Sequence, residues 1–170
     1  MTAKQMKYDS AAHEEFRAGV KQMAKAVGIT IGPAGRNVVV QKSWGNPSVT
    51  KDGVSVAKEV ELAEPFQNMG AKMVQQVAKK TADVAGDGTT SATILADAIF
   101  RNGLRHVAVG ANPVTVQRGI TAAARVATEA VNIMAKECKD KSDLQKVAMV
   151  SSNHDELIGN IISEAINKVG

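Results

Sequence analysis

Ala85-Gly86-Asp87-Gly88-Thr89-Thr90-Ser91-Ala92-Thr93 is the stretch on which the fold turns. On its N-terminal side Phe66, Met69, Met73, Val77 and Val84 recur at helical spacing after Pro65, a residue suited to the first turn of a helix, so a helix is predicted that ends at Ala85-Gly86 with this stripe as its buried face. On its C-terminal side Thr89-Thr90-Ser91 opens a second helix through Ile94, Leu95, Ala98, Ile99, Leu104 and Val107 to Gly110. The two glycines around Asp87 make the junction a tight turn whose backbone a ligand can approach closely.

Working outward, Phe16, Val20, Met23 and Val27 predict a helix over 10–27, with Asp9 or Ser10 as its cap and Gly28 as its stop. Thr30-Ile31-Gly32-Pro33-Ala34-Gly35 breaks regular structure. Valine-rich arms at 36–42 and 48–51 flank Trp44-Gly45-Asn46-Pro47 and predict a β-hairpin. Lys51-Asp52-Gly53 is a further turn, with a short helix over 54–60. Asn112-Pro113 caps a helix through Val116, Ile120, Ala127 and Val131 to about Met134. A polar connector, Lys136-Glu137-Cys138-Lys139-Asp140-Lys141, follows, which puts a domain boundary near 135. Ser142 with Gln145, and Asn153 with Glu156, have capping-box spacing for two last helices, the second with Leu157, Ile161, Ile162, Ala165 and Ile166 as its apolar face.

The composition agrees with a mainly α-helical chain. Across 170 residues, 44% are hydrophobic but only 3% aromatic, so the core must come from Ala, Val, Ile, Leu and Met, with helices packed closely through small side chains. The net charge of +4 is spread along helices and interleaved with acids, and few aromatics could stack on bases; nucleic-acid binding is not expected. The basic cluster Lys136, Lys139, Lys141 and Lys146 has Glu137, Asp140 and Asp143 among it. No apolar run approaches the roughly 20 residues that span a bilayer, and no apolar leader precedes Gln5, so a cytoplasmic protein outside the membrane is expected. Cys138 is the only cysteine, which excludes an intrachain disulfide; it reads as a helix-end cysteine, and His13, His106 and His154 read as surface residues rather than its catalytic partners.

Two glycine-bearing loops, 30–35 and 86–91, are candidates for chemistry. The second stands before a helix whose free amides and partial positive charge suit phosphate oxygens. Thr89, Thr90 and Ser91 add hydroxyl donors, and Asp87 is placed to hold a hard cation such as magnesium. Asp-Gly-Thr is equally an ordinary turn and cap. No Walker sequence occurs, and the last glycine of a dinucleotide motif is missing. The residues alone therefore specify a candidate anion site and leave the anion open.

Taken together, Thr30-Ile31-Gly32-Pro33-Ala34-Gly35-Arg36-Asn37-Val38, Thr50-Lys51-Asp52-Gly53-Val54-Ser55-Val56 and residues 85–93 resemble the successive nucleotide loops of GroEL-type (group I) chaperonins. Gly110-Ala111-Asn112-Pro113 and Arg118-Gly119-Ile120 continue the resemblance in order. It implies the N-terminal half of an equatorial, ATP-binding helical domain with a small β-hairpin over 1–135, and the start of the intermediate domain over 136–170. The apical domain and the C-terminal equatorial half would be absent, and with them the main water-activating carboxylate and the surface for unfolded proteins and co-chaperonin; on this reading the chain is a fragment. By position, Thr30, Ile31, Gly32 and Pro33 would line ATP or ADP; Thr30 and Lys51 would lie near phosphates and an activating K⁺; Asp87 would bind Mg²⁺; Gly88, Thr89, Thr90 and Ser91 would wrap the phosphates; and Asp52 would help orient the attacking water. The hairpin would pair with a neighbouring subunit in a ring. Ser91 stands where threonine is usual and Ala34 where lysine is common. The resemblance implies ATP-driven assistance to protein folding, with weak or absent hydrolysis in this chain alone. The alternative is a non-enzymatic, self-associating module built on uncovered apolar faces.

Overall fold

The structure, a computed structural model, describes residues 4–32, 34–42, 45–138, 140–152 and 154–169. The expectations placed on Pro33, on Trp44 in the hairpin turn, on Lys139 in the connector and on Asn153 as a cap lie outside those residues. In chain order the elements are α1 (Asp9–Gly28), β1 (Val38–Val40), β2 (Ser48–Thr50), α2 (Gly53–Glu59), α3 (Pro65–Ala85), α4 (Thr89–Ala108), α5 (Pro113–Met134), α6 (Lys141–Ser151) and α7 (Glu156–Val169). The chain is thus mainly helical with one small antiparallel hairpin, in which Val38 pairs with Thr50, Val39 with Val49 and Val40 with Ser48. Among the described residues no helix is long and apolar enough to cross a membrane. Two compact units form, Met1–Ile120 and Thr121–Gly170, dividing within α5; the connector near 135 follows that helix.

In the first unit α1, α2, α3 and α4 surround a core of Val20, Met23, Val27, Val56, Ala57, Ala71, Val74 and Ala78, with Phe16 and Phe100 in edge contact at 5.6 Å between ring centroids. The expected face of α1 is the buried one. The expected face of α3 is not. Met69, Met73, Val77 and Val84 are exposed, and α3 buries Gly70, Ala71, Val74 and Ala78 instead. The reason is the closeness of α1. A Cβ on Gly19 would lie 1.8 Å from the Gln67 carbonyl oxygen, and one on Gly70 would lie 2.3 Å from that of Phe16. Backbones that approach so closely leave room on the α3 side of the seam only for small residues, and the methionines of α3 lie on the outer surface.

Helix ends follow local chemistry, with corrections. Pro65 opens α3 behind Glu64, whose carboxylate accepts the Gln67 amide at 2.7 Å, and Gly86 closes it in the left-handed conformation. Asn112 caps α5 through the Val114 and Thr115 amides. The cap of α1 is Tyr8, with no side-chain bond; neither Asp9 nor Ser10 caps, because Asp9 is already in the first turn. In the second unit Asp140, not Ser142, caps α6 by accepting the Asp143 amide at 2.8 Å, and Asp155 accepts the Ile158 amide at the start of α7. Here too small residues make the seam. Gly159 and Ser163 of α7 are buried, with Gly159 against Met149 of α6, while Leu157, Ile161, Ile162 and Ile166 lie exposed. Cys138 is exposed in the connector rather than at a helix end, and the three histidines are exposed.

Candidate functional site at three helix ends

The C-terminus of α1 and the N-termini of α2 and α4 meet at one place. Thr30, two residues past α1, is buried; its amide and its Oγ1 both donate to the Val27 carbonyl, at 3.1 and 2.7 Å. The chain then folds back tightly. Gly32 takes a positive φ of 72°, the Gly35 amide donates to the Gly32 carbonyl, and the Arg36 amide donates to that of Ile29. Ile31 and Gly32 stay exposed at the tip of this turn.

From the other side, Gly86 and Gly88 both adopt positive φ, 73° and 81°, and a Cβ on either would meet nothing within 4 Å. That conformation favours glycine, and the space beside it is open. Asp87 between them is exposed, its Oδ1 accepting the Gly88 amide at 2.6 Å. Gly88 itself stands at the cap position of α4, which has no side-chain capping bond. The first amides of α4 are therefore left to whatever lies before the helix, an arrangement that attracts anions.

Thr30 Oγ1 lies 3.2 Å from Thr90 Oγ1. Because the single Thr30 hydroxyl proton goes to Val27, Thr90 is the donor of this pair. Of the three hydroxyls expected to serve as donors, Thr89 is buried, Thr90 has its proton committed to Thr30, and Ser91 is exposed. Thr90 thus offers lone pairs rather than a proton to a ligand at the turn.

The third contributor is the turn after β2. Asp52 caps α2, accepting the Val54 and Ser55 amides at 3.4 and 2.9 Å, and its own amide donates to Thr50 Oγ1. Lys51 is half-buried beside it. Gly53, the first residue of α2, is buried directly against Thr90. The structure therefore brings 30–32, 51–53 and 86–91 to a single junction, with Ile31, Gly32, Asp52, Asp87 and Ser91 on its exposed side. Gly53 had no role assigned from sequence; the only signal was its place between Asp52 and the start of a helix.

Among the described residues no group of three or more His, Cys, Asp or Glu converges on a metal position. Asp87 alone supplies a carboxylate at the turn. That donor set suits magnesium held by one carboxylate together with phosphate oxygens and water. A separate groove of about 410 Å³ lies at the far end of the α1–α4 pair, where Asp9 and Glu14 offset Arg17, Arg101 and Arg105.

Residues 23–170 match the TCP-1/cpn60 chaperonin family. The chain belongs to that family. Among solved structures it is similar to the crystal structure of a group III chaperonin in the open state, with a TM-score of 0.78 and 26% identity over 94% of this chain. It spans about a third of that protein, 32% of its length. The helical bundle with its small hairpin is accordingly an equatorial-domain-like chaperonin fold.

Proposed function

We propose that this chain is the N-terminal part of a group I, GroEL-type chaperonin subunit and that the junction of α1, α2 and α4 is the phosphate side of its ATP site. The observation that carries the reading is the Thr30–Thr90 contact beside an uncapped helix start, with Asp87 exposed on the same turn. The α4 amides after Gly88 would receive phosphate oxygens, and exposed Ile31 and Gly32 would line the nucleotide together with Pro33. Thr89 would act through its backbone. Ser91, at the outer edge, would add a hydroxyl. The oxygen of Thr90, an acceptor here, suits a monovalent cation such as K⁺ near Thr30 and Lys51. Magnesium held by Asp87 would neutralise phosphate charge when bound. Asp52, at the mouth of the junction, would orient water. The chemistry asked of these residues is positioning and charge stabilisation.

As part of a cytoplasmic ring of like subunits, the chain would contribute to ATP-driven cycles of protein folding, with 1–135 equatorial and 136–170 intermediate. Unfolded proteins and co-chaperonin would be held by parts of a subunit beyond the 170 residues, and hydrolysis by this chain alone would be slow or nil. The test is calorimetric titration with ADP with and without magnesium, on the wild type and on Asp87→Ala. Expected is magnesium-dependent binding weakened about tenfold or more by the substitution, the loss of one charged contact. Binding indifferent to both magnesium and Asp87 would remove the proposal.

A second reading, self-association without enzymatic work, is favoured by the exposed stripe on α3, where Met73 is 61% and Val84 80% exposed. Light scattering decides it: a monodisperse monomer at all concentrations would end it.

A further inference from the structure

Gly53 has a role that its backbone does not require. It is the first residue of α2, without the positive φ that marks Gly32, Gly86 and Gly88, so alanine would be accommodated there by the backbone alone and mildly favoured by the helix. What excludes alanine is a neighbour. A Cβ on Gly53 would lie 2.1 Å from Thr90 Oγ1, and at only 3.3 and 3.2 Å from Thr90 Cβ and Val27 Cγ1.

We infer that Gly53 is a positioning residue: the start of α2, lacking a side chain, leaves the slot in which the Thr90 hydroxyl sits, and so holds that hydroxyl against Thr30. The inference rests on the proposed ATP site for its functional consequence, but not for its geometry. With alanine at 53 the Thr90 hydroxyl must leave its slot. Rotating the Thr90 methyl into the same place would collide as badly, so χ1 must turn to the rotamer that puts hydrogen there. That rotation breaks the 3.2 Å contact with Thr30 Oγ1 and turns the acceptor lone pairs away from the junction. The fold has a simpler escape only if Thr90 is shortened; then the remaining contacts, 3.2 and 3.3 Å, need shifts of a few tenths of an ångström.

The test is a cycle of Gly53→Ala, Thr90→Ala and the double variant, in the whole chain, with two readouts. In nucleotide-free protein, three-bond scalar couplings report the Thr90 χ1 rotamer; Gly53→Ala is expected to change it, and an unchanged rotamer overturns the inference whatever nucleotide does. In titrations with magnesium-ADP, Gly53→Ala and Thr90→Ala are each expected to weaken binding about tenfold, with the double variant no weaker than Thr90→Ala alone. Independent, multiplying losses would show that Gly53 acts other than through Thr90. Should the wild type fail to bind magnesium-ADP, the ATP reading falls, while a shifted Thr90 rotamer still upholds the positioning role of Gly53.

Discussion

Replacing Gly19 by alanine tests whether the α1–α3 crossing is as close as described. In an isolated helix the change would help, by about 0.5–1 kcal/mol, because alanine has the better helix propensity. Here the new Cβ would stand 1.8 Å from the Gln67 carbonyl oxygen, 2.6 Å from its carbon and 2.9 Å from its Cα. All three are backbone atoms of α3, so no side-chain rotation relieves the contact. Bringing the closest of them to a tolerable 3.0 Å requires the two helices to part by about 1.2 Å, that is 3.0 minus 1.8. A gap of ~0.5–1 Å already forfeits a quarter to a half of each atom pair's attraction. The seam that would open carries Val20, Met23 and Val27 on one side and Ala71, Val74 and Ala78 on the other. The overpacking cost of ~1–3 kcal/mol outweighs the helix gain, and a net loss of about 1–2 kcal/mol is expected. Urea unfolding followed by circular dichroism measures it. Gly119→Ala is the internal comparison, since a Cβ there meets nothing within 4 Å, and it should raise stability by about 0.5–1 kcal/mol. If Gly19→Ala shifts the midpoint upward as Gly119→Ala does, the close crossing is wrong and so is the explanation of the exposed methionines.

Three further outcomes are expected. The Gln67 side-chain amide, donating to Glu15 at 2.8 Å, together with hydrogen bonding to and the charge of Lys7, holds the Glu15 carboxyl below its ordinary 4.5 against a smaller upward push from burial. A lowered folded value means that this contribution is complete above the unfolded value and is lost as pH falls through the folded one. Glu15→Gln should therefore flatten the acid limb of the stability curve, the two proteins converging once pH has fallen below the lowered folded value, and parallel curves throughout the acid limb would contradict it. Asp52→Ala should cost about 1 kcal/mol by uncapping α2, with Asp52→Asn retaining most of that; equal loss from both would mean that the carboxylate does more than cap. Asp140→Ala should lower the helical signal of the chain by fraying α6, whereas Ser142→Ala should not, which circular dichroism of the two variants distinguishes.

The ends of the elements were legible because the signals that set them are local. Pro65, Asp87 between two glycines, and Asn112 before Pro113 each act within a turn of the backbone they terminate, and α3, α4 and α5 start and stop beside them. Which face of a helix is buried was legible for α1 and misleading for α3 and α7. Periodicity ranks faces by hydrophobicity, but a seam between close backbones selects by size, and Gly70, Ala71 and Gly159 carry little hydrophobic signal. The cap at Asp140 was missed because a carboxylate two residues before Ser142 takes the Asp143 amide and starts α6 earlier, at Lys141. For the site, each loop was visible on its own, yet the contact between Thr30 and Thr90 spans 60 residues and no local pattern encodes it.

The same physical device appears twice in the first unit, at the core and at the candidate site. Gly19 and Gly70 let α1 and α3 meet backbone to backbone, and Gly53 lets α2 meet the side chain of Thr90. In both places a missing Cβ sets a distance that no larger residue would allow. The consequences differ because of what lies across the gap. Across the core seam lies backbone, which cannot rotate, so the glycine fixes the separation of two helices. Across the site lies a hydroxyl that can rotate, so the glycine fixes a rotamer, and through the committed proton of Thr30 it fixes which way that hydroxyl presents its lone pairs. The orientation of one oxygen within the junction is thus decided by Thr30, Gly53 and Thr90, on three segments far apart in sequence.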